Sequence, residues 1–261
     1  MARLFIFGLG YTAERIAQAL IARGWSVDAT GSAGNIDFAQ GDAVEHALAA
    51  SSHVLSSVPP RDGTDPVLDR YGPLLGERWT GYLSSTGVYG DAGGAWVDES
   101  APVGTGRRTA RTASDARWLE HGARVFRLPG IYGPGRSALD RVREGKARRI
   151  DLPGQVFSRV HVDDIVGGVL AALDSGAPRG AYNLADDMPT SQNRVTEEAC
   201  RILGVPVPEL QTIDDAGLSQ AARGFYEENR RVANGKARRI LGWQPQYPTF
   251  REGLAAIMAR E

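Results

Sequence analysis

The stretch that most limits what this chain can fold into is Leu4-Phe-Ile-Phe-Gly8-Leu-Gly10-Tyr-Thr-Ala13. Arg3 to Gly8 form a short apolar run, rich in aromatic and β-branched residues and closed by glycine. It reads as a buried strand of a parallel sheet. A helical pattern follows, with Ile16, Ala19, Leu20 and Arg23 ahead of a stop signal at Gly24. Strand, Gly-x-Gly-x-x-Ala, then helix is an order in which backbone can hold a pyrophosphate. Gly8 permits the tight turn and Gly10 lets the main chain approach the ligand. Ala13 lets the helix pack close to the strand, with its N-terminal amides facing the phosphates. The competing reading is a purely structural glycine turn.

Val27 to Thr30 reads as the second strand. An acid at its end would hold a ribose 2′-OH, but Thr30 and Gly31 stand there. Ser32 could bond a 2′-phosphate, so the sequence leans to NADP over NAD. Asp28 reads as a strand residue without a cofactor role. His53 to Ser57 is a further strand. The chain has 261 residues, enough for one large α/β domain with at most a small attached lobe. Its net charge of −1 gives no electrostatic ground for expecting nucleic acid or an anionic membrane as partner. Cys200 is the single cysteine, so an intrachain disulfide is ruled out and a cytoplasmic setting is expected. The apolar run at residues 4–9 is too short for a signal peptide or a membrane span.

Further motifs recur along the chain. They are Ser84-Ser-Thr-Gly-Val-Tyr89-Gly, Val97-Asp-Glu-Ser-Ala-Pro102, Arg127-Leu-Pro-Gly-Ile-Tyr132-Gly-Pro-Gly135, Arg159-Val-His161-Val-Asp163-Asp-Ile, Ala181-Tyr-Asn183-Leu and Leu241-Gly-Trp-Gln-Pro245. Taken together the chain resembles, over nearly its whole length, the extended and atypical short-chain dehydrogenase/reductases, the NAD-dependent epimerase/dehydratase family. Phe7 departs from that family's usual Gly-x-x-Gly-x-x-Gly, and the match is to its atypical members.

The resemblance implies an α/β, doubly wound (Rossmann) parallel sheet of seven strands with a small C-terminal substrate lobe. Residues 1–128 and 155–184 would form the NAD(P)-binding domain, and 129–154 with 185–261 the interleaved lobe. It implies NAD or NADP held by Gly8, Gly10, Tyr11, Thr12, Ala13, Thr30, Ser32, Asp42, Val58, Pro59, Arg111, Pro129 and Ile131. For Asp42 a helix N-cap ahead of Ala43 to Ala50 is the equal alternative. Ser85, with Thr86 beside it, would polarise a substrate oxygen; bonding to the local backbone is the alternative.

The resemblance fails at one place. Aligning Asp115 with the acid that follows the family's Tyr-x-x-x-Lys puts Arg107 at the Tyr and Arg111 at the Lys, with Arg108 between them. Arginine cannot exchange protons near neutral pH. Arg111 could still hold the nicotinamide ribose, or the pair could hold a substrate phosphate or carboxylate. The proton would then come from Tyr89, Tyr132, Asp98 or Ser85 through water. His161 and Asp163 are expected to brace a strand-to-helix junction. Arg136, Arg159 and Arg223 to Tyr226 either line a substrate cleft or lie on the surface. Helices are expected over 107–121, 190–204, 214–230 and 249–259.

The expected function is that of an epimerase/dehydratase or oxidoreductase acting on a hydroxyl- or carbonyl-bearing small molecule, such as a sugar phosphate or nucleotide-sugar. A non-catalytic NAD(P)-binding regulator or scaffold is the alternative. Family resemblance also suggests a homodimer through the helix 107–121 and its neighbour at about 64–75.

Overall fold

A computed structural model of the chain describes residues 2–107 and 109–261; Arg108 lies outside the described residues. The first half alternates strand and helix: β1 (Arg3–Phe7), α1 (Tyr11–Ile21), β2 (Ser26–Ala29), α2 (Gly41–Ala49), β3 (His53–Ser56), α3 (Pro66–Leu75) and β4 (Trp79–Ser85). The short β5 (Trp96–Val97) and α4 (Thr109–Glu120) precede β6 (Arg124–Leu128). Next come β7 (Gly130–Tyr132), α5 (Ala138–Arg143), β8 (Arg149–Ile150), β9 (Arg159–His161), α6 (Val162–Asp174) and β10 (Gly180–Asn183). The last stretch holds α7 (Gln192–Leu203), β11 (Leu210–Gln211), α8 (Gln220–Arg223), β12 (Arg231–Val232), α9 (Gly235–Leu241) and α10 (Phe250–Met258).

The central sheet runs β10-β6-β4-β3-β1-β2, and every neighbouring pair is parallel. Side chains alternate across it as a parallel sheet covered on both faces requires. Leu4 and Ile6 of β1 enter one core with Ile16 and Leu20 of α1 and Ile165 and Val169 of α6. Phe5 and Phe7 enter the other, with Val67 and Tyr71 of α3 and Trp118 of α4. A third apolar cluster joins Leu139 of α5, Val195 and Ala199 of α7, and Phe250, Leu254 and Ile257 of α10. The chain leaves β1 toward β2 and then returns to place β3 on the other side of β1. The strand ends on either side of that reversal frame a crevice, the usual ligand position in such sheets.

Three expectations need correction. The sheet has six strands among the described residues, not seven. Pro129, which has no N–H to donate, follows β6 directly, and β7 beyond it pairs with β9 instead of extending the sheet. The helix expected over 214–230 is reduced to Gln220–Arg223; Gly217 lies before it at φ 55° and Gly224 ends it. Asp42 is not an N-cap. It sits in the first turn of α2, where Gln40 holds the cap position.

Two buried carboxylates tie α4 into the sheet and its neighbours. Asp115 accepts from Arg127 Nη2 of β6 at 2.7 Å and from Ser84 Oγ of β4 at 2.5 Å. Asp65 caps α3 by accepting from the amides of Val67 and Leu68, and accepts from Trp118 Nε1 at 2.8 Å. Among the described residues no helix is long and apolar enough to cross a membrane.

Candidate functional site

Gly8 follows β1 at φ +85°, a conformation that disfavours a side chain. A Cβ there would also meet Val58 Cγ2 at 2.9 Å and Ser57 Oγ at 3.1 Å. The turn is braced from β2, where Thr30 Oγ1 accepts from Gly8 N at 3.2 Å and Thr30 O from Leu9 N at 2.6 Å. Ser57, beyond β3, donates its hydroxyl to the Gly8 carbonyl. Gly8, Thr30 and Ser57 therefore build the turn.

Gly10 is different. Its φ is −114°, and a Cβ would meet nothing within 4 Å. It stands at the N-cap of α1, and no side chain caps that helix. The first-turn amides of α1 thus face open space beside a glycine with room in front of it, a cradle suited to a diphosphate.

That space belongs to one cleft of about 1000 Å³. It runs from Gly10, Tyr11, Thr12 and Ala13, past Ser57 and Pro59, to Ser85, Thr86, Arg107 and Arg111. It then passes Pro129, Ile131 and Tyr132 and ends among α5, α7 and residues 222–232. Of the residues expected from sequence, the structure brings Gly10, Tyr11, Thr12, Ala13, Pro59, Ser85, Thr86, Arg107, Arg111, Pro129, Ile131 and Tyr132 to this cleft. Arg136, Arg159 and Tyr226 line it as well.

Others stand outside its lining. Gly8, Thr30 and Val58 lie behind it in the turn, Ser32 is exposed beyond β2, and Asp42 is exposed on α2. Asp98 is exposed, and its carboxylate accepts from the Ser100 amide and hydroxyl. These bonds hold its pKa below the usual carboxylate value. Asp28 is engaged by Asn35 and Arg3 and takes no part.

Tyr89, expected as a proton source, is 2% exposed and buried beneath the cleft floor. Its hydroxyl donates to Asn183 Oδ1 at 2.8 Å and accepts from Arg127 Nη1 at 3.1 Å. Burial raises its pKa, outweighing the nearby Arg127. Tyr89 therefore belongs to the polar chain Ser84–Asp115–Arg127–Tyr89–Asn183 that fixes the ends of β4, β6 and β10. Tyr132 reaches the cleft, but burial pushes its pKa far up, and its hydroxyl points to Thr249 O at 3.5 Å. His161 Nδ1 accepts from Asp163 N at 3.2 Å and caps α6. Burial lowers its pKa to about 4, and Asp163 pairs with Arg260 at 2.9 Å.

Ser85 Oγ accepts from Gly87 N at 3.1 Å as the cap of the short 3-10 turn Thr86–Tyr89. Its hydroxyl hydrogen stays available toward the cleft. Arg111 donates to Tyr82 Oη at 3.1 Å. Tyr82 is stacked on Trp118, and burial pushes its phenol up to about 12. Arg107 has no such anchor in the sheet. It pairs with Glu228 at 3.6 Å, and its guanidinium lies 5.5 Å from the Phe225 ring centroid.

Seven arginines line the cleft against three carboxylates. Arg136, Arg141, Arg148 and Arg159 form no ion pair among the described residues. Arg159 is 7% exposed, and burial lowers its pKa to about 10. It donates to the carbonyls of Phe157 and Thr190 and to Gln192 Oε1. Glu228 and Arg230, joined at 2.9 Å, also line the cleft and were not legible in the sequence. No local motif marks them, because what places them at the cleft, Arg107 beside Glu228 and the Gly90 carbonyl beside Arg230, lies more than a hundred residues away.

No protein-family model matches the chain. In the curated proteins, 141 residues are 36% identical to a 3-diazoavenalumate denitrifying reductase of a Streptomyces species, spanning 50% of this chain and 45% of that protein. The match thus covers about half of each. Protein YeeZ of Escherichia coli strain K12 is 28% identical over 95% of this chain and 97% of its own. Among solved structures, a functionally unknown conserved protein from Silicibacter pomeroyi is 37% identical, with a TM-score of 0.89 over 100% of this chain and 99% of that one. A dTDP-glucose 4,6-dehydratase from Bacillus anthracis, solved with NAD, is 16% identical with a TM-score of 0.77 over 100% and 97%. A human epimerase family protein solved with NADPH is 17% identical with a TM-score of 0.77 over 99% and 100%.

The fold is accordingly the Rossmann-type α/β fold of the epimerase/dehydratase and short-chain dehydrogenase/reductase structures. By sequence, the chain belongs to the same family as the Silicibacter pomeroyi protein.

Proposed function

We propose that this chain binds an NAD(P) dinucleotide and, with it, performs oxidoreductase or epimerase chemistry on a hydroxyl- or carbonyl-bearing anionic small molecule. The observation that carries the reading is that the open N-terminus of α1 at Gly10 and the Ser85, Thr86 and Arg111 side chains face one continuous cleft. The first-turn amides of α1 and Gly10 would take the pyrophosphate. Arg111, tethered to Tyr82, would take the nicotinamide ribose. Pro129 and Ile131 would border the nicotinamide. Bound there, the dinucleotide would accept or deliver a hydride at its nicotinamide. Ser85 would donate its hydroxyl hydrogen to the substrate oxygen, with Thr86 beside it. Arg141, Arg148 and Arg159 would hold the anionic group, such as the phosphate of a sugar phosphate or nucleotide-sugar, while Arg136 lies over the Tyr11 ring beside the cradle. With no acid at the end of β2, NADP is favoured over NAD.

The test is a fluorescence titration with NADH and NADPH. Micromolar binding of either is the expected result, with Gly10→Ala weakening it at least tenfold without unfolding, since the added methyl occupies only the cradle. Equal affinity in the variant would remove the assigned pyrophosphate site. Absence of binding to the unaltered chain would remove the reading altogether. A second reading, a non-catalytic NAD(P)-binding regulator, follows if the alignment by resemblance is right in putting Arg107 and Arg111, which cannot shuttle protons, at the family's Tyr and Lys.

A further inference from the structure

The far end of the cleft holds a buried positive charge without a counter-ion. Arg159 is 7% exposed, and burial lowers its pKa only to about 10, so it is charged at neutral pH. Its Nη1 donates to the carbonyls of Phe157 at 2.9 Å and Thr190 at 3.0 Å, and its Nη2 to Gln192 Oε1 at 3.0 Å. All three acceptors are neutral. A guanidinium has five N–H groups, so two remain on a side chain that lines the cleft. The carboxylate whose charge acts on it most, Asp186, is 2% exposed and is itself pushed by burial up to about 7. Asp186 is therefore only a partial counter-charge near neutral pH. A buried cation in this state is costly, and an anion in the cleft relieves the cost.

The walls around that charge are aromatic and apolar. The Arg159 guanidinium lies 5.9 Å from the Phe157 ring centroid, and the Tyr226 ring meets Phe157 edge-on at 5.5 Å. Arg141 and Arg159 are the cations that act on the Tyr226 phenol, whose hydroxyl makes no hydrogen bond among the described residues. Val195, Phe250 and Leu254 extend the apolar surface. Acceptors are scarce by comparison. The three carboxylates of the cleft are all engaged: Asp140 by Ser137, Glu144 by Lys146, and Glu228 by Arg107 and Arg230. Gln192 Oε1 is taken by Arg159. A polyol brings several O–H groups, each of which needs an acceptor. A flat ring with one acidic group needs donors and an apolar wall, which this end offers.

We infer that the substrate is an aromatic carboxylic acid, its carboxylate bound by Arg159, Arg141 and the Tyr226 hydroxyl and its ring lying against Phe157 and Tyr226. As a statement about the substrate, this rests on the dinucleotide reading above. The acid anchors one end of the molecule, and the hydroxyl or carbonyl that reacts lies toward Ser85, further along the same cleft. Among anionic substrates, sugar phosphates are the ones this end disfavours, because their hydroxyls would be desolvated against donors and hydrocarbon.

The test is calorimetric titration with 4-formylbenzoate, its neutral amide 4-formylbenzamide, and glucose 6-phosphate, in the presence of saturating oxidised dinucleotide so that nothing turns over. The benzoate is expected to bind at least tenfold more tightly than either of the others. Arg159→Met should remove its advantage over the amide. Because Arg159 also braces two carbonyls, Tyr226→Phe serves as a second variant. It loses one unpartnered hydroxyl, and affinity for the benzoate should fall several-fold while that for the amide stays put. Absence of benzoate binding, or equal binding of benzoate and amide, overturns the acid subsite. Tighter binding of glucose 6-phosphate overturns the aromatic assignment in favour of a sugar phosphate. In a protein that binds dinucleotide, these results leave the dinucleotide reading standing. Failure to bind either dinucleotide overturns both.

Discussion

Asp115 shows how much the site depends on a residue that never touches the cleft. It and Arg127 are almost fully buried, with side chains 2% and 4% exposed, and their ion pair sets the ends of β4 and β6. Removing one member of such a pair leaves an uncompensated buried charge. Asp115→Ala is therefore expected to cost about 3–5 kcal/mol, read from urea unfolding.

His161 gives a pH signature. Its pKa falls from 6.5 to about 4 on folding, because burial disfavours the imidazolium. Between those two values the unfolded chain binds the proton and the folded chain does not. The stability held by neutral His161 is therefore lost as pH drops through that window. His161→Asn, which can still cap α6, should show a shallower loss of melting temperature between neutral and mildly acidic buffer. Parallel curves for the two proteins would contradict the lowered value.

At the scale of elements, Asp65 does two jobs that can be separated. Asp65→Asn keeps an oxygen for the α3 cap but presents an amide to Trp118. Asp65→Ala loses both contacts and should cost about 1–2 kcal/mol more, judged by urea midpoints. The elements also show which parts of the sequence were legible. The β1–turn–α1 unit was readable because its glycines and apolar spacing are local signals. The same holds for β4 ending in Ser-Ser-Thr and for the helix expected over 107–121, which forms as α4. The helix expected over 214–230 was too long: Gly217, at φ 55°, breaks it on one side and only Gln220–Arg223 is helical. Thr30 was placed at a ribose by spacing along the strand; its side chain instead turns back to the Gly8 amide. The packing of residues 224–232 against Arg107 and against Gln155 to Ser158 was invisible because Glu228 meets Arg107 across 121 residues and Gln155 across 73, and nothing in these segments announces the others.

For the whole molecule, the consequence of a binding cleft at the sheet's topological reversal is linkage between ligand and fold. Dinucleotide at a hundred times its dissociation constant should stabilise the native state by about 2.7 kcal/mol. That is a rise of several degrees in melting temperature for a chain of this size. Gly10→Ala, melted under the same conditions, should show little of that rise. A Gly10→Ala protein that gains as much as the unaltered one would place the ligand elsewhere.

The seven arginines of the cleft have a consequence for encounter as well as for binding. The molecule carries one net negative charge, so its overall charge alone predicts a slight repulsion of anionic ligands. The cleft bears the opposite sign, and field lines converge on a concave, poorly screened mouth. An anion should therefore be drawn in faster than neutral diffusion allows. Its association rate should fall as ionic strength rises from about 0.01 M to about 0.15 M and the screening length shortens from roughly 30 Å to 8 Å. A stopped-flow series in salt reads the sign directly: a rate that rises with salt would mean that the surface, and not the cleft, governs approach.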